Sequence, residues 1–276
     1  MIVNRENIER FINTERAVSN IGRILGAISK AYIEPEADDS HTNFFWCSTN
    51  LHLETRHIHL PNDEVLSVSY HPSHFHIHFE TETETKPKQE QLVLLKNNSL
   101  DYVLKKTAET LSKFGLDPKK FHDHVEFRYP ELTNINGKLF TPEKSLIHQF
   151  ELIRSSANNL LISYIISNNI HAELPRVWPY NFDTGIVCFL DDNIIQYAGY
   201  APADNEVCKV PYFYNSFYKN NQQIISDSVL TVGEWQKEGW KGAILRMDDF
   251  NDSAEFLDAV LPFIKQSSEQ INKTIN

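Results

Sequence analysis

Glycine is scarce in this chain, 9 in 276 residues, and none of the glycine loops that cradle phosphates can be found in it. There is no GxxxxGK[ST] segment and no GxGxxG, so the backbone lacks the close approach that nucleotide phosphates require. A GxSxG elbow and an HExxH helix are equally missing, which removes the familiar α/β-hydrolase and zinc-protease readings. Cysteine is also rare: Cys47, Cys188 and Cys208 are widely separated and form no CxxC pair. Cys47 and Cys188 sit inside apolar runs and read as small buried hydrophobes, since no sequence neighbour supplies a reason for a lowered thiol pKa. Basic residues are outnumbered, 26 Lys and Arg against 37 Asp and Glu for a formal charge of -11, and they are spread singly. That pattern leaves no electrostatic footprint for nucleic acid or anionic lipid. No apolar run approaches the roughly 20 residues of a membrane span. The opening MIVNRENIERF becomes charged at once where a secretory segment would be apolar, so the expected location is cytoplasmic.

What the chain does contain, with 41% hydrophobic residues, is enough apolar material for a sizeable core. Its order of elements is stated twice. Ile8, Phe11, Ile12, Ile21, Ile24, Leu25 and Ile28 recur at helical spacing, and a Trp46 segment, strand-like runs and a capped helix near Ser99 follow. Ile147, Phe150, Ile153, Ala157, Leu160, Leu161, Tyr164 and Ile165 form a second such helix, followed by Trp178, further strands and a capped helix near Asp252. The expected class is α+β, built as two similar helix, antiparallel-sheet, helix units with helices covering one face of each sheet. Residues 1–116 form the first unit, 117–142 a connecting segment and 143–276 the second. A single continuous sheet with its helices gathered on one side is the alternative.

Local chemistry places the boundaries. Ser99 and Gly115 bracket a helical stripe of Leu100, Val103, Leu104, Thr107, Leu111 and Phe114. Asp252 with Glu255 makes a capping box, and Pro262 predicts a kink in the helix that follows. Val125 to Arg128 is a short strand candidate. Gly22 and Gly26, four apart on a charged helix, predict close packing against a sheet.

Two clusters carry chemical possibilities. In His71-Pro-Ser-His74-Phe-His76-Ile-His78-Phe-Glu80, strand alternation sends His74, His76, His78, Glu80, Glu82 and Glu84 one way and Phe75, Ile77, Phe79 and Thr81 the other. Imidazoles at i and i+2 on a strand can converge on zinc or another divalent metal, with His52 or Glu54 supplying a further ligand. The bland alternative is a solvated sheet face.

The second cluster is Arg176 to Asp183 with Gly199-Tyr200 and Pro211-Tyr212-Phe213-Tyr214. Pro179 makes Trp178 extended, and Asp183 at a strand start needs a partner, for which Arg176 is a candidate. Trp178, Tyr180, Asp183, Tyr200, Tyr212 and Tyr214 are the candidate ligand-binding residues, an aromatic site with few polar groups. The alternative is an aromatic core closing the second sheet.

At Trp178-Pro179-Tyr180-Asn181-Phe182-Asp183 the chain resembles an uncharacterised bacterial domain family carrying a W-P-x-x-F-D signature. Members often have a histidine pair before F-D, where this chain has Tyr180 and Asn181. The resemblance singles out Trp178, Phe182 and Asp183 and brings no activity with it. Two functional expectations follow. The first is a non-catalytic module, without a cofactor, for a small ligand or a protein, using the aromatic residues. The second is a metal-assisted hydrolase using His74, His76 and His78 with Glu54 or Glu80.

Overall fold

A computed structural model describes residues 2–82, 87–191 and 193–275 of the chain. Its elements are α1 (Ile8–Tyr32), β1 (Phe45–Cys47), β2 (His52–Glu54), β3 (Ile58–His59), β4 (Val65–His71), β5 (His76–Glu82), β6 (Glu90–Leu94), α2 (Leu100–Lys113) and α3 (Pro118–His122). They continue with α4 (Lys144–Ser167), β7 (His171–Ala172), β8 (Arg176–Trp178), β9 (Asp183–Asp191), β10 (Ile194–Ala201), β11 (Tyr212–Lys219), β12 (Gln222–Ile224), β13 (Glu234–Gln236), β14 (Gly242–Arg246), α5 (Ser253–Asp258) and α6 (Val260–Ile275). The class is α+β with two separate antiparallel sheets, not one continuous sheet. None of the helices among the described residues is long and apolar enough to cross a membrane.

Two compact units divide the chain, and their boundaries fall within α1, within α4 and around 177–182. One comprises 13–151 and 177–182 and holds the first sheet; the other comprises 1–12, 152–176 and 183–276 and holds the second.

In the first-sheet unit the strand order is β1-β2-β4-β5-β6, with β3 beside β4. Period-2 alternation sends Leu53, Leu66, Val68, Tyr70, Ile77, Phe79 and Val93 to the core, all nearly inaccessible to solvent. The ring of Phe79 stacks on Phe114 at the end of α2, and Trp46 meets Phe150 of α4 edge-on at 5.8 Å. Helix α2 starts on the Ser99 side chain, which accepts the Tyr102 N–H, and closes at Gly115, where Leu116 N–H donates back to the Leu111 carbonyl. The opposite face of the sheet carries His52, Glu54, Ser67, Ser69, His71, His76, His78 and Glu80, in the register that pairs His71 with His76 and Ser69 with His78.

That face differs from the expected one at two positions. His71, expected in a turn, is the last residue of β4, while His74 lies in the hairpin loop 72–75 and β5 begins at His76. Phe75 causes the difference: its φ of 51° turns the chain, and its N–H donates to the His71 carbonyl at 2.8 Å. The side chain of Glu82 and the whole of Glu84 lie outside the described residues. Val125 to Arg128 forms no strand, and the backbone leaving it is held by Asn20, whose side chain bonds both the N–H and the carbonyl of Tyr129.

In the second-sheet unit the order is β7-β9-β10-β11-β14-β13, with β12 beside β11. Phe213 and Phe217 face the helices, Phe213 meeting Phe256 of α5 at 5.5 Å. Asp252 caps α5 by accepting the N–H groups of Ala254 and Glu255. The kink expected from Pro262 is present as the break between α5 and α6 at Ala259. Pro262 has no N–H for the Asp258 carbonyl, the residue at which α5 ends. A buried polar network joins sheet to helices: Gln196 donates to Asn215, and Asn215 donates to Ser267 at 2.7 Å.

Candidate functional site

The six aromatic-site candidates fall into two groups. Asp183, Tyr200, Tyr212 and Tyr214 belong to the second-sheet unit, and Trp178 and Tyr180 to the first-sheet unit. In the second-sheet unit, alternation puts Tyr200 on the helix side, fully buried, with the Arg154 guanidinium 5.1 Å from its ring centre. Arg154, itself inaccessible, also donates to the Thr184 hydroxyl at 2.7 Å. Tyr212 and Tyr214 face the other way.

On that outer face Ala201, Cys208, Tyr212 and Ile244 form a small apolar cluster, covered by Val207, Val210 and Trp240. The Tyr212 hydroxyl donates to Asp204 at 2.8 Å and the Tyr214 hydroxyl to Asp183 at 2.6 Å. Burial first, and then the adjoining carboxylates, push both hydroxyls above the usual tyrosine range, so each stays a protonated donor. These tyrosines satisfy neighbouring carboxylates and fill the layer over the sheet.

Trp178 and Tyr180 line a cavity of about 340 Å³. Their segment is fixed at each end. Val177 exchanges both backbone hydrogen bonds with Phe44 at 2.9 Å, and Phe182 N–H donates to the Trp178 carbonyl at 2.7 Å. Phe182 then plugs the unit. It is 1% exposed, stacked on Phe150 and set directly against Gly22, where a Cβ would stand 2.7 Å from the ring. Its φ of 59° costs about 1–2 kcal/mol for a residue with a Cβ, and burying a Phe side chain contributes about 1.5–3 kcal/mol in return. The close approach of α1 expected from Gly22 and Gly26 is therefore made to this segment, with Gly26 facing Pro179.

Both signs of charge line the same cavity. Arg23 and Lys30 come from α1, Asp38 and Asp39 from the turn after it, and Glu126 from the irregular stretch beyond α3. The Arg23 guanidinium donates to the Tyr180 carbonyl at 2.7 Å and lies 5.3 Å from the Tyr180 ring centre; Arg128 donates to the same carbonyl. Burial, and then Arg128, lower the Arg23 pKa, while hydrogen bonds from Ser40 hold Asp38 below the usual carboxylate range. A hollow of about 650 Å³ beside Cys208 and Trp235, and another of about 440 Å³ between α2 and α3, are lined by none of the six candidates.

The histidine face gathers more imidazoles than its strand alone supplies. The His71 ring lies 4.6 Å from His52, 4.9 Å from His76, and 6.1 Å from both His74 and His78. Burial first, and then the surrounding imidazoles, push His71 down to about 3, and burial lowers His76 as well. Both rings are therefore neutral at physiological pH. Glu54 is held from two sides: Ser67 donates to Oε1 at 2.6 Å, and Nε2 of His52 is 3.2 Å from Oε2. The His52 contact keeps the Glu54 pKa low against the opposing effect of burial.

No family model, no curated protein and no solved structure matches this chain. Its chemistry is therefore read from its own residues.

Among the described residues, one group of three or more His, Cys, Asp or Glu has its ligand atoms all within 4.8 Å of one another: His78, Glu80 and Glu90. The expected trio of His74, His76 and His78 does not converge in this way, since adjacent rings stand 5.7 and 6.4 Å apart. Glu80 is also engaged by Lys88. His71 was missed as a site residue because a His-Pro-Ser sequence reads as a turn. The cationic and anionic walls of the Trp178 cavity were missed because they come from segments far apart in the chain.

Proposed function

We propose that the protein is a non-catalytic binding module that takes a small zwitterionic molecule in the cavity beside Trp178. The observation that carries this reading is the pairing of an aromatic wall, Trp178 and Tyr180, with cations and anions around one cavity of about 340 Å³. That volume sits at the small end of ligand sites, which run from about 300 to 1,000 Å³. It suits a molecule of amino-acid size better than a larger cofactor. A ligand carboxylate would meet Arg23 and Lys30, and a ligand ammonium would meet Asp38, Asp39 and Glu126. The apolar remainder would lie against Trp178 and Pro179.

Thermal unfolding of the full chain with free amino acids, and with their amides and N-acetyl derivatives, tests the proposal. A ligand at a hundred times its Kd stabilises by about 2.7 kcal/mol. The expected result is a saturable rise in Tm with at least one free amino acid, reduced for both derivatives and for the exposed-site variant Lys30→Ala. The reading is overturned if no amino acid shifts the Tm, or if blocking either charge on the ligand has no effect.

A further inference from the structure

We propose that the histidine face of the first sheet is a binding site for one zinc-class transition-metal ion, held by His52, His71 and His76. The argument starts from His52, which is 8% exposed and whose Nδ1 is buried with no hydrogen-bond partner among the described residues. A buried polar atom left without a partner is destabilising unless something satisfies it. The identity of that atom follows from its neighbour. The Glu54 carboxylate can only accept, so Nε2 of His52 must carry the proton, and in the neutral ring Nδ1 then presents a lone pair. A carboxylate that fixes the tautomer of an imidazole from behind is the arrangement that orients metal-binding histidines. Here Glu54 is itself fixed by the Ser67 hydroxyl at 2.6 Å.

The second ligand is set beside the first. His71 follows Tyr70, whose partner across the β2–β4 ladder is Leu53, and this register brings the His52 and His71 rings to 4.6 Å. The Ser69 hydroxyl lies 3.0 Å from Nε2 of His71 and, by accepting its proton, would leave Nδ1 of that ring as the ligand atom. His76, the direct cross-strand partner of His71, has its ring 4.9 Å away. With Zn–N bonds of about 2.0–2.1 Å and tetrahedral angles, imidazoles sharing one ion have ring centres about 5 Å apart. Both measured separations are near that value, while His52 and His76 flank His71 from β2 and β5 and the three ligand atoms do not all lie within 4.8 Å of one another. The His71 and His76 planes are stacked at 26°, so closing the third bond requires the half-exposed His76 ring to turn about its side-chain torsions. Imidazole nitrogen is a donor suited to zinc, copper and nickel, and poorly suited to calcium or magnesium.

The test is a Zn²⁺ titration of the full metal-free chain against a chromophoric chelator, with the absorption spectrum of the Co²⁺ form as a second readout. One ion is expected per chain, with Co²⁺ giving the intense visible bands of a tetrahedral site. His52→Ala and His71→Ala should each weaken Zn²⁺ binding at least a hundredfold. Glu54→Gln should weaken it about 10- to 100-fold, as loss of an orienting partner does. His78→Ala and Glu90→Gln should leave affinity unchanged. Circular dichroism of each metal-free variant checks folding, and the half-exposed His71→Ala carries the test if buried His52→Ala does not fold. Absence of stoichiometric binding overturns the proposal. So does binding that survives His71→Ala, or binding lost in Glu90→Gln, which would put the ion at His78, Glu80 and Glu90 instead.

Discussion

Replacing Gly22 by alanine tests how the segment beside the cavity is held. A Cβ at this position would stand 2.7 Å from Cε2 of Phe182, about 1 Å inside the usual separation of non-bonded carbons. Phe182 has little room to yield, being 1% exposed and stacked on Phe150 with 12° between the ring planes. Overpacking of this kind costs about 1–3 kcal/mol. Against it stands a gain of about 0.8–1.0 kcal/mol from placing alanine in a helix interior. Gly22→Ala should therefore range from neutral to about 2 kcal/mol less stable.

Gly26→Ala is the internal comparison, because its added Cβ would be 3.2 Å from the Pro179 ring, a shortfall of a few tenths of an ångström. It should be neutral or up to about 1 kcal/mol stabilising. Urea unfolding followed by circular dichroism measures both, and a Phe182→Leu background measures their coupling to the ring. With the ring removed, Gly22→Ala should recover most of the lost stability. Equal stabilisation by the two alanines, or no change in the effect of Gly22→Ala when Phe182 is replaced, would refute the packing account.

Tyr214→Phe removes the 2.6 Å hydrogen bond to Asp183 and should cost about 1.5–3 kcal/mol of stability. It should leave the affinity of any ligand in the Trp178 cavity unchanged, and isothermal titration against a measured ligand would expose an error. The Cys188 thiol is one contributor to the alkaline pH dependence, alongside raised groups such as Tyr212, Tyr214 and Cys208, because burial raises its pKa from 9.0 to about 12. Between those values the unfolded chain ionises this thiol and the folded chain does not. Its contribution is thus intact below the lower value and is lost as pH rises, at up to about 1.4 kcal/mol per pH unit. Cys188→Ala should flatten the alkaline fall in unfolding free energy, and an unchanged slope would contradict the assignment. In native protein, half-buried Cys47 should be alkylated well before buried Cys188 and Cys208, as mass spectrometry of labelled peptides would read.

The legible parts of this fold were those written in local periodicity and capping. The apolar stripes of α1, α2 and α4, the Asp252 cap, and the inward Ile77 and Phe79 all follow from neighbours within a few residues. Pro262 likewise announces the break before α6. His71 and His74 exchanged their expected places because a bulky residue, Phe75, adopts a positive φ at 51°. Nothing in its side chain advertises that conformation. The contact between His52 and His71 is a matter of register between strands, and no single strand encodes it. The Trp178 cavity is less legible still: α1, the 38–39 turn and the 178–180 segment meet through tertiary packing, so Arg23, Lys30 and Asp38 look like ordinary surface charges. Tyr212 and Tyr214 were recognisable as a concentrated aromatic pair. Asp183 was singled out as needing a partner, but its pairing with Tyr214, and that of Asp204 with Tyr212, depend on register and on a loop that no local pattern shows.

The most direct test of the central claim is a ¹H–¹⁵N spectrum of the protein titrated with a free amino acid that raises its Tm. Binding at the proposed cavity predicts saturable shifts of the Trp178 indole N–H and the Gly26 amide, with the indoles of Trp235 and Trp240 unmoved. Saturable shifts confined to Trp235 and Trp240, or none at Trp178, would contradict it.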